Sequence, residues 1–164
     1  MKINRKILAI TVVLLAVVFS TFSAAADKQK AADFSLKDLA GRTVSLSAMK
    51  GKVVLLNFWA TWCPSCVSEM PSLNRLYKEM KSHGLEIIAV STDGSASSVR
   101  DFRKTHGLLF PVVIDEDREA TRLYHVFSLP TSFLIDKDGF VVEKFYGEYD
   151  WTSQQMKGKI EKLF

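Results

Sequence analysis

The apolar run Val53-Val54-Leu55-Leu56-Asn57-Phe58 leads into Trp62-Cys63-Pro64-Ser65-Cys66, and an amphipathic segment follows at once. No other stretch of the chain limits its fold as tightly. A run with so little polar interruption suits a strand buried on both faces, as in a parallel sheet. From Pro64 to His83 the apolar residues Val67, Met70, Leu73, Tyr77 and Met80 recur every three or four positions, which marks one face of a helix. Gly84 supplies the stop of that helix, and Leu85 to Val90 reads as a second buried strand. Strand, helix and parallel strand in this order require a right-handed crossover, so an α/β chain is expected.

The other segments build around this unit. Phe34-Ser35-Leu36 and Thr43-Val44-Ser45-Leu46 alternate about a turn at Asp38 to Arg42, as a small hairpin does. Ser95 to His106 reads as a helix with Ser95 as N-cap and Gly107 as its stop. Val112 to Ile114 is a short strand, Asp117 to Tyr124 a short helix, and the charges from Asp115 to Arg122 read as a solvated helix start. Ser132 to Ile135 and Phe140 to Phe145 flank a hairpin turn, and Thr152 to Leu163 closes the chain as a helix. The order is an N-terminal β-hairpin, a βαβ unit, a short αβα insertion and a ββα end.

Residues 1–26 form a targeting segment. Lys2, Arg5 and Lys6 precede an apolar run from Ile7 to Phe19, and Ser23-Ala24-Ala25-Ala26 offers small residues for cleavage. Two readings stay open: a signal peptide that is removed, or a retained membrane anchor, since Ile7 to Ala26 carries no charge. Both put residues 27–164, one domain, outside the cytoplasm, where disulfides persist. Three of the 22 basic residues lie in the leader, which leaves 19 against 18 acidic ones and a net charge of +1. No basic run suggests nucleic acid as a partner.

Cys63 and Cys66 are the only cysteines. A C-x-x-C pair between a strand and a helix is the context of redox chemistry. The helix N-terminus offers free N–H groups and the positive end of the macrodipole, which favour a thiolate at Cys63. Cys63 is the expected nucleophile, and Cys66, one turn on, is expected to be less exposed and near enough to bond it. Pro64 suits the first turn because its missing N–H costs nothing there. A purely structural disulfide closes too short a loop to stabilise much. Haem attachment wants His where Val67 stands, and a zinc site wants ligands that are absent. Copper(I) held by the two thiolates, in a metal-delivery module, is the alternative that stays open.

Asn57-Phe58-Trp59-Ala60-Thr61-Trp62-Cys63-Pro64-Ser65-Cys66 resembles the active-site segment of thioredoxin-fold proteins, and most of all the extracytoplasmic TlpA/ResA group and its relative CcmG, also called DsbE. Pro71, the stretch Ser128-Leu129-Pro130-Thr131 and the hairpin region from Leu36 to Leu46 match the same group, so the likeness runs from about Ala32 to the C-terminus. The resemblance implies a thioredoxin fold, a mixed central sheet flanked by helices, and a thiol–disulfide oxidoreductase that needs no cofactor or metal. It implies a cis peptide before Pro130, with the Leu129 backbone and the Trp62 and Pro64 surface meeting an extended substrate. It implies that Glu69, three residues after Cys66, takes the Cys66 proton, since Asn57 stands where thioredoxin has a buried Asp. It further implies disulfide-bearing protein clients such as apocytochrome c, and recharging by a membrane thiol donor of the CcdA/DsbD kind. With no cation between the cysteines, a reductase is expected rather than a strong oxidant.

Other signals fail. Asp136-x-Asp138 lacks the Gly and Glu of an EF-hand loop. The glycines are too scattered for a phosphate-cradling loop. A peroxiredoxin wants Thr three residues before its cysteine, where this chain has Ala60. His83, His106 and His125 are expected at the surface or at helix ends, and Trp59 is expected to pack beneath the active-site helix.

Overall fold

The computed structural model describes residues 29–164, so the leader lies outside the described residues. Seven strands form one mixed sheet: β1 (Ser35–Asp38), β2 (Thr43–Ser45), β3 (Val53–Trp59), β4 (Leu85–Ser91), β5 (Val112–Ile114), β6 (Thr131–Ile135) and β7 (Val141–Tyr146). Their spatial order is β2-β1-β5-β4-β3-β6-β7. β3, β4 and β5 run parallel, while β6 is antiparallel to β3, β7 to β6 and β1 to β5. The N-terminal hairpin thus extends the main sheet beside the inserted strand. Among the described residues four α-helices flank it: α1 (Pro64–Met80), α2 (Ala96–His106), α3 (Glu119–Leu123) and α4 (Gln154–Glu161).

The period of two along β3 sorts the core into two layers. Val53, Leu55 and Trp59 face α1, α2 and α4, where they meet Met70, Leu73, Val99, Met156 and Ile160. Val54, Leu56 and Phe58 face the other layer, with Phe34, Ala120, Tyr124 and Phe133. Every residue of β3 and β4 is buried, as apolar strands covered on both faces must be. Each large apolar side chain so buried contributes about 1.5–3 kcal/mol.

Several expectations are corrected. α3 is shorter than Asp117 to Tyr124, because Arg118 takes a left-handed backbone at φ 57° and the helix starts only after it. The charge cluster is no solvated helix start throughout: Asp115 is buried and accepts hydrogen bonds from the Ala120 and Thr121 N–H groups and the Thr121 hydroxyl. Ser95 is the N-cap residue of α2, yet its side chain meets the Ser97 hydroxyl and caps no N–H. The α1 stripe includes Glu69 and Leu76, while Val67 is only half-buried. α4 spans fewer residues than Thr152 to Leu163. Among the described residues, no helix is long and apolar enough to cross a membrane.

Candidate active site

β3 ends at Trp59 in the middle of the sheet, and the chain turns through Ala60–Cys63, with the Cys63 N–H donating to the Ala60 carbonyl (3.3 Å). Cys63 is the N-cap of α1 and has an extended backbone, and Pro64 occupies the first turn. The Cys66 N–H points at Cys63 Sγ (3.3 Å), as an orphan donor at a helix start does. The Ser65 hydroxyl lies 3.5 Å from the same sulfur. Cys63 and Cys66 are joined as a disulfide with Cα atoms 5.3 Å apart. Cys63 keeps 6% exposure and Cys66 none, so the N-terminal sulfur is the one that faces out.

Further along α1, Glu69 points inward and is buried. Its Oε1 accepts from Asn57 Nδ2 (2.7 Å), and its Oε2 from Trp151 Nε1 (3.0 Å) and the Tyr149 N–H (3.4 Å). Asn57 Nδ2 also donates to the Ser132 hydroxyl across the β3–β6 pair (2.9 Å). Burial pushes the Glu69 carboxyl up to about 7. The hydrogen bonds from Trp151, Asn57 and Tyr149 oppose that rise, and the nearby Glu148 charge adds to it. Asn57 Oδ1 is buried with no partner among the described residues.

The outer wall of the site is mostly apolar, with Arg118 as its one charged residue among the described residues. Trp62, Cys63, Pro64 and Ser65 line one side of a cleft of about 440 Å³, and Val126, Phe127 and Leu129 line the other. Trp62 is 65% and Phe127 93% exposed. The Leu129–Pro130 peptide is cis, as the resemblance implies. Pro130 is itself buried, and its carbonyl accepts from the Gly147 N–H (2.9 Å). Among the described residues, neither backbone polar group of Leu129 is engaged in a hydrogen bond. Trp59 packs beneath the site, fully buried against Phe102. No group of three or more His, Cys, Asp or Glu side chains that could hold a metal ion is found among the described residues.

The structure therefore gathers Cys63, Trp62, Pro64 and Leu129 around one cleft, with Cys66 and Glu69 behind it. Sequence reasoning missed Trp151, Tyr149 and Ser132, the partners that surround Glu69 and Asn57. Glu69 and Trp151 are 82 positions apart in the chain, and no local pattern joins them. It also missed Phe127, an aromatic residue three positions before Pro130, whose exposure only the structure shows.

A thioredoxin-type sheet that ends in a bonded C-x-x-C pair at a helix start defines a thiol–disulfide oxidoreductase. The comparisons with known proteins agree. The chain is similar to the thiol-disulfide oxidoreductase ResA of Bacillus anthracis, at 43% identity over 99% of both chains. It is similar in structure to a thiol:disulfide interchange protein of the thioredoxin family from Chlorobium tepidum TLS, with a TM-score of 0.75 and 30% identity over 85% of this chain and 98% of that one. It also resembles StoA from Bacillus subtilis, with a TM-score of 0.67 and 32% identity over 77% of this chain and 95% of that one. Residues 28–144 match the AhpC/TSA family, and the chain belongs to that family and, within it, to the ResA-like thiol–disulfide oxidoreductases. The position three residues before Cys63 is Ala60, so the threonine wanted by a peroxidatic cysteine is absent.

Proposed function

We propose that this protein is an extracytoplasmic reductase of protein disulfides. The observation that carries the reading is the Cys63–Cys66 pair at the head of α1, with the outward sulfur on a mostly apolar cleft and a buried carboxyl, Glu69, one turn behind the inner one. In the reduced enzyme the Cys63 thiolate attacks one sulfur of a client disulfide. A mixed disulfide forms and the other client sulfur leaves as a thiolate. Glu69, with a proton affinity near neutral pH, takes the proton of Cys66, directly or through water. The Cys66 thiolate then attacks Cys63 Sγ, the Cys63–Cys66 disulfide forms, and the client leaves with two added electrons.

Trp62, Pro64 and Leu129 would meet an extended client segment, with Leu129 supplying backbone hydrogen bonds as an added strand does and Pro130 shaping its loop. Residues 27–164 are the catalytic domain, and residues 1–26 export it, either cleaved or kept as an anchor. A membrane thiol donor of the CcdA/DsbD kind would restore the dithiol, and apocytochrome c is a client of the right chemistry for a role in cytochrome c maturation.

Cys66→Ser tests the reading. Without the resolving thiol, covalent complexes with proteins should accumulate through Cys63 and be identified by mass spectrometry. A folded Cys66→Ser protein that captures nothing in cells would refute it. A reduction potential near the strongly oxidising value of about −120 mV would reverse the direction.

A further inference from the structure

We propose that Asp93 is a positioning residue for the redox pair: it fixes the turn that presents Cys63 and, as a buried charge with no cation against it, disfavours the Cys63 thiolate and keeps the couple reducing. Asp93 follows β4 and is 4% exposed. Its Oδ1 accepts from the Thr61 hydroxyl (2.5 Å), and its Oδ2 from the Thr61 N–H (3.0 Å) and the Ser91 hydroxyl (2.8 Å). Thr61 is the second residue of the Ala60–Cys63 turn. Next to Asp93 in the chain, Thr92 gives its N–H (2.9 Å) and hydroxyl (3.3 Å) to the Trp59 carbonyl. The end of β4 is thereby stitched to the last residue of β3 and to the turn that carries the nucleophile.

A side chain that only accepts, from three donors, has the pattern of a carboxylate. All three donors are neutral, and no ion pair among the described residues engages Asp93. The tight turn keeps this charge within about 10 Å of Cys63 Sγ. At an effective dielectric of about 20, a charge there changes the thiolate-to-thiol ratio about tenfold. The other charged or titratable groups at the site are Arg118, which lines the same cleft, Glu69 behind Cys66, whose burial favours its neutral form, and the positive end of α1. Arg118 and the helix end favour the thiolate, and Asp93 opposes them.

Reduction takes up two electrons and two protons per disulfide, and one proton fewer where the Cys63 thiolate persists. Favouring the thiolate therefore raises the reduction potential only at pH values where that thiol ionises. Asp93→Asn isolates the charge. With its amide turned, Oδ1 accepts from the Thr61 N–H and the Ser91 hydroxyl, and Nδ2 donates to Thr61 Oγ1, so all three contacts survive. Two readouts apply: the pH dependence of Cys63 alkylation in the reduced protein, and the potential against glutathione.

The expected result is a Cys63 midpoint lower by about one pH unit. The potential should be unchanged at about pH 5 and raised by up to ~30 mV at about pH 9, which is the same tenfold for a two-electron couple. Thr61→Val, which keeps the charge, should produce no such rise. An unmoved midpoint in folded Asp93→Asn, or a potential displaced equally at both ends of the pH range, would overturn the inference. If Asp93→Asn does not fold, Gly94→Lys adds a compensating cation at an exposed position with open space around its Cβ. It should move both readouts in the same direction, and a folded Gly94→Lys that moves neither would overturn the inference. The inference rests on Cys63 being the attacking thiol. If Cys66 alkylates first, that reading fails on its own; if Cys63 does and Asp93→Asn leaves it unmoved, only the role of Asp93 falls.

Discussion

Glu69→Gln should remove a pH-dependent cost from the native fold, and its size follows from the carboxyl's surroundings. Burial raises the Glu69 pKa from 4.5 to about 7 against three opposing hydrogen bonds. Between those two values the folded protein keeps a proton that the unfolded chain has lost. The unfolded state then binds fewer protons than the native one, so stability falls as pH rises. The contribution is fully present below about pH 4.5 and is lost as pH passes through about 7. At about 1.4 kcal/mol per unit, the interval amounts to about 3 kcal/mol. The variant can keep the contacts of the site if the Asn57 amide turns: the Gln carbonyl accepts from Trp151 and Tyr149, its amide donates to Asn57 Oδ1, and the Ser132 hydroxyl donates to that same oxygen. Urea unfolding of both oxidised proteins across this pH range reads the effect as a difference of two stability profiles. The native protein should lose about 3 kcal/mol relative to Glu69→Gln between about pH 4.5 and 8. A constant difference would show that Glu69 does not hold its proton in the fold. The same substitution should slow the second thiol exchange, so that Cys63-linked mixed disulfides build up.

Two further substitutions act on neighbouring parts of the site. Trp151→Phe keeps an aromatic ring, though a smaller one, and removes the Nε1–H that favours the ionised Glu69, so the carboxyl should titrate higher by about one unit; an NMR titration that leaves it at or below its native midpoint would contradict this. Asp115→Ala orphans three donors at the head of α3 and should cost about 2–4 kcal/mol in urea unfolding, with slower client reduction because the Arg118 to Leu129 wall of the cleft loses its anchor.

What the sequence made legible is what local spacing encodes. β3 can be read because it is almost continuously apolar, as a strand covered on both faces is, and α1 because its apolar residues recur with the 3.6-residue period; Gly84 ends the 3-10 turn Lys81–His83 that follows α1, through a left-handed backbone at φ 102°. Cys63 and Cys66 lie within one helical turn, so their pairing needed no tertiary information. The expected helix from Asp117 fails at its start because Arg118 takes a left-handed backbone, and Asp115, polar by type, is pulled inward to accept from two N–H groups and a hydroxyl at the head of α3. The cradle around Glu69 was invisible for a related reason. Trp151 and Tyr149 reach it from the segment after β7, about 80 positions away, and only the assembled sheet brings that segment onto α1. Asp93 and Thr61 are likewise joined by the parallel register that sets Trp59 beside Ser91, not by any motif.

The Asn57–Glu69 contact divides the labour between an amide that cannot exchange a proton and a carboxyl that can, and Asn57→Asp tests that division. Asn57 Nδ2 lies 2.7 Å from Glu69 Oε1, so an aspartate there sets two carboxyl oxygens at that separation in a dry pocket. Like charges so placed cannot both ionise at low cost, and the pair must share a proton. Near pH 4 the variant should be folded, with the Glu69 carboxyl donating to the introduced carboxyl and the Ser132 hydroxyl turned to donate to that same oxygen. As pH rises, the unfolded chain gives up both protons while the fold keeps the shared one, and like-charge repulsion holds that proton to a higher pH than the value of about 7 for native Glu69. Stability should then go on falling at about 1.4 kcal/mol per pH unit above about pH 7, where the native profile levels off. Unfolding profiles that run parallel for the two proteins would mean that the second carboxyl finds water or a cation, and that the site is wetter than the burial of Asn57 and Glu69 requires.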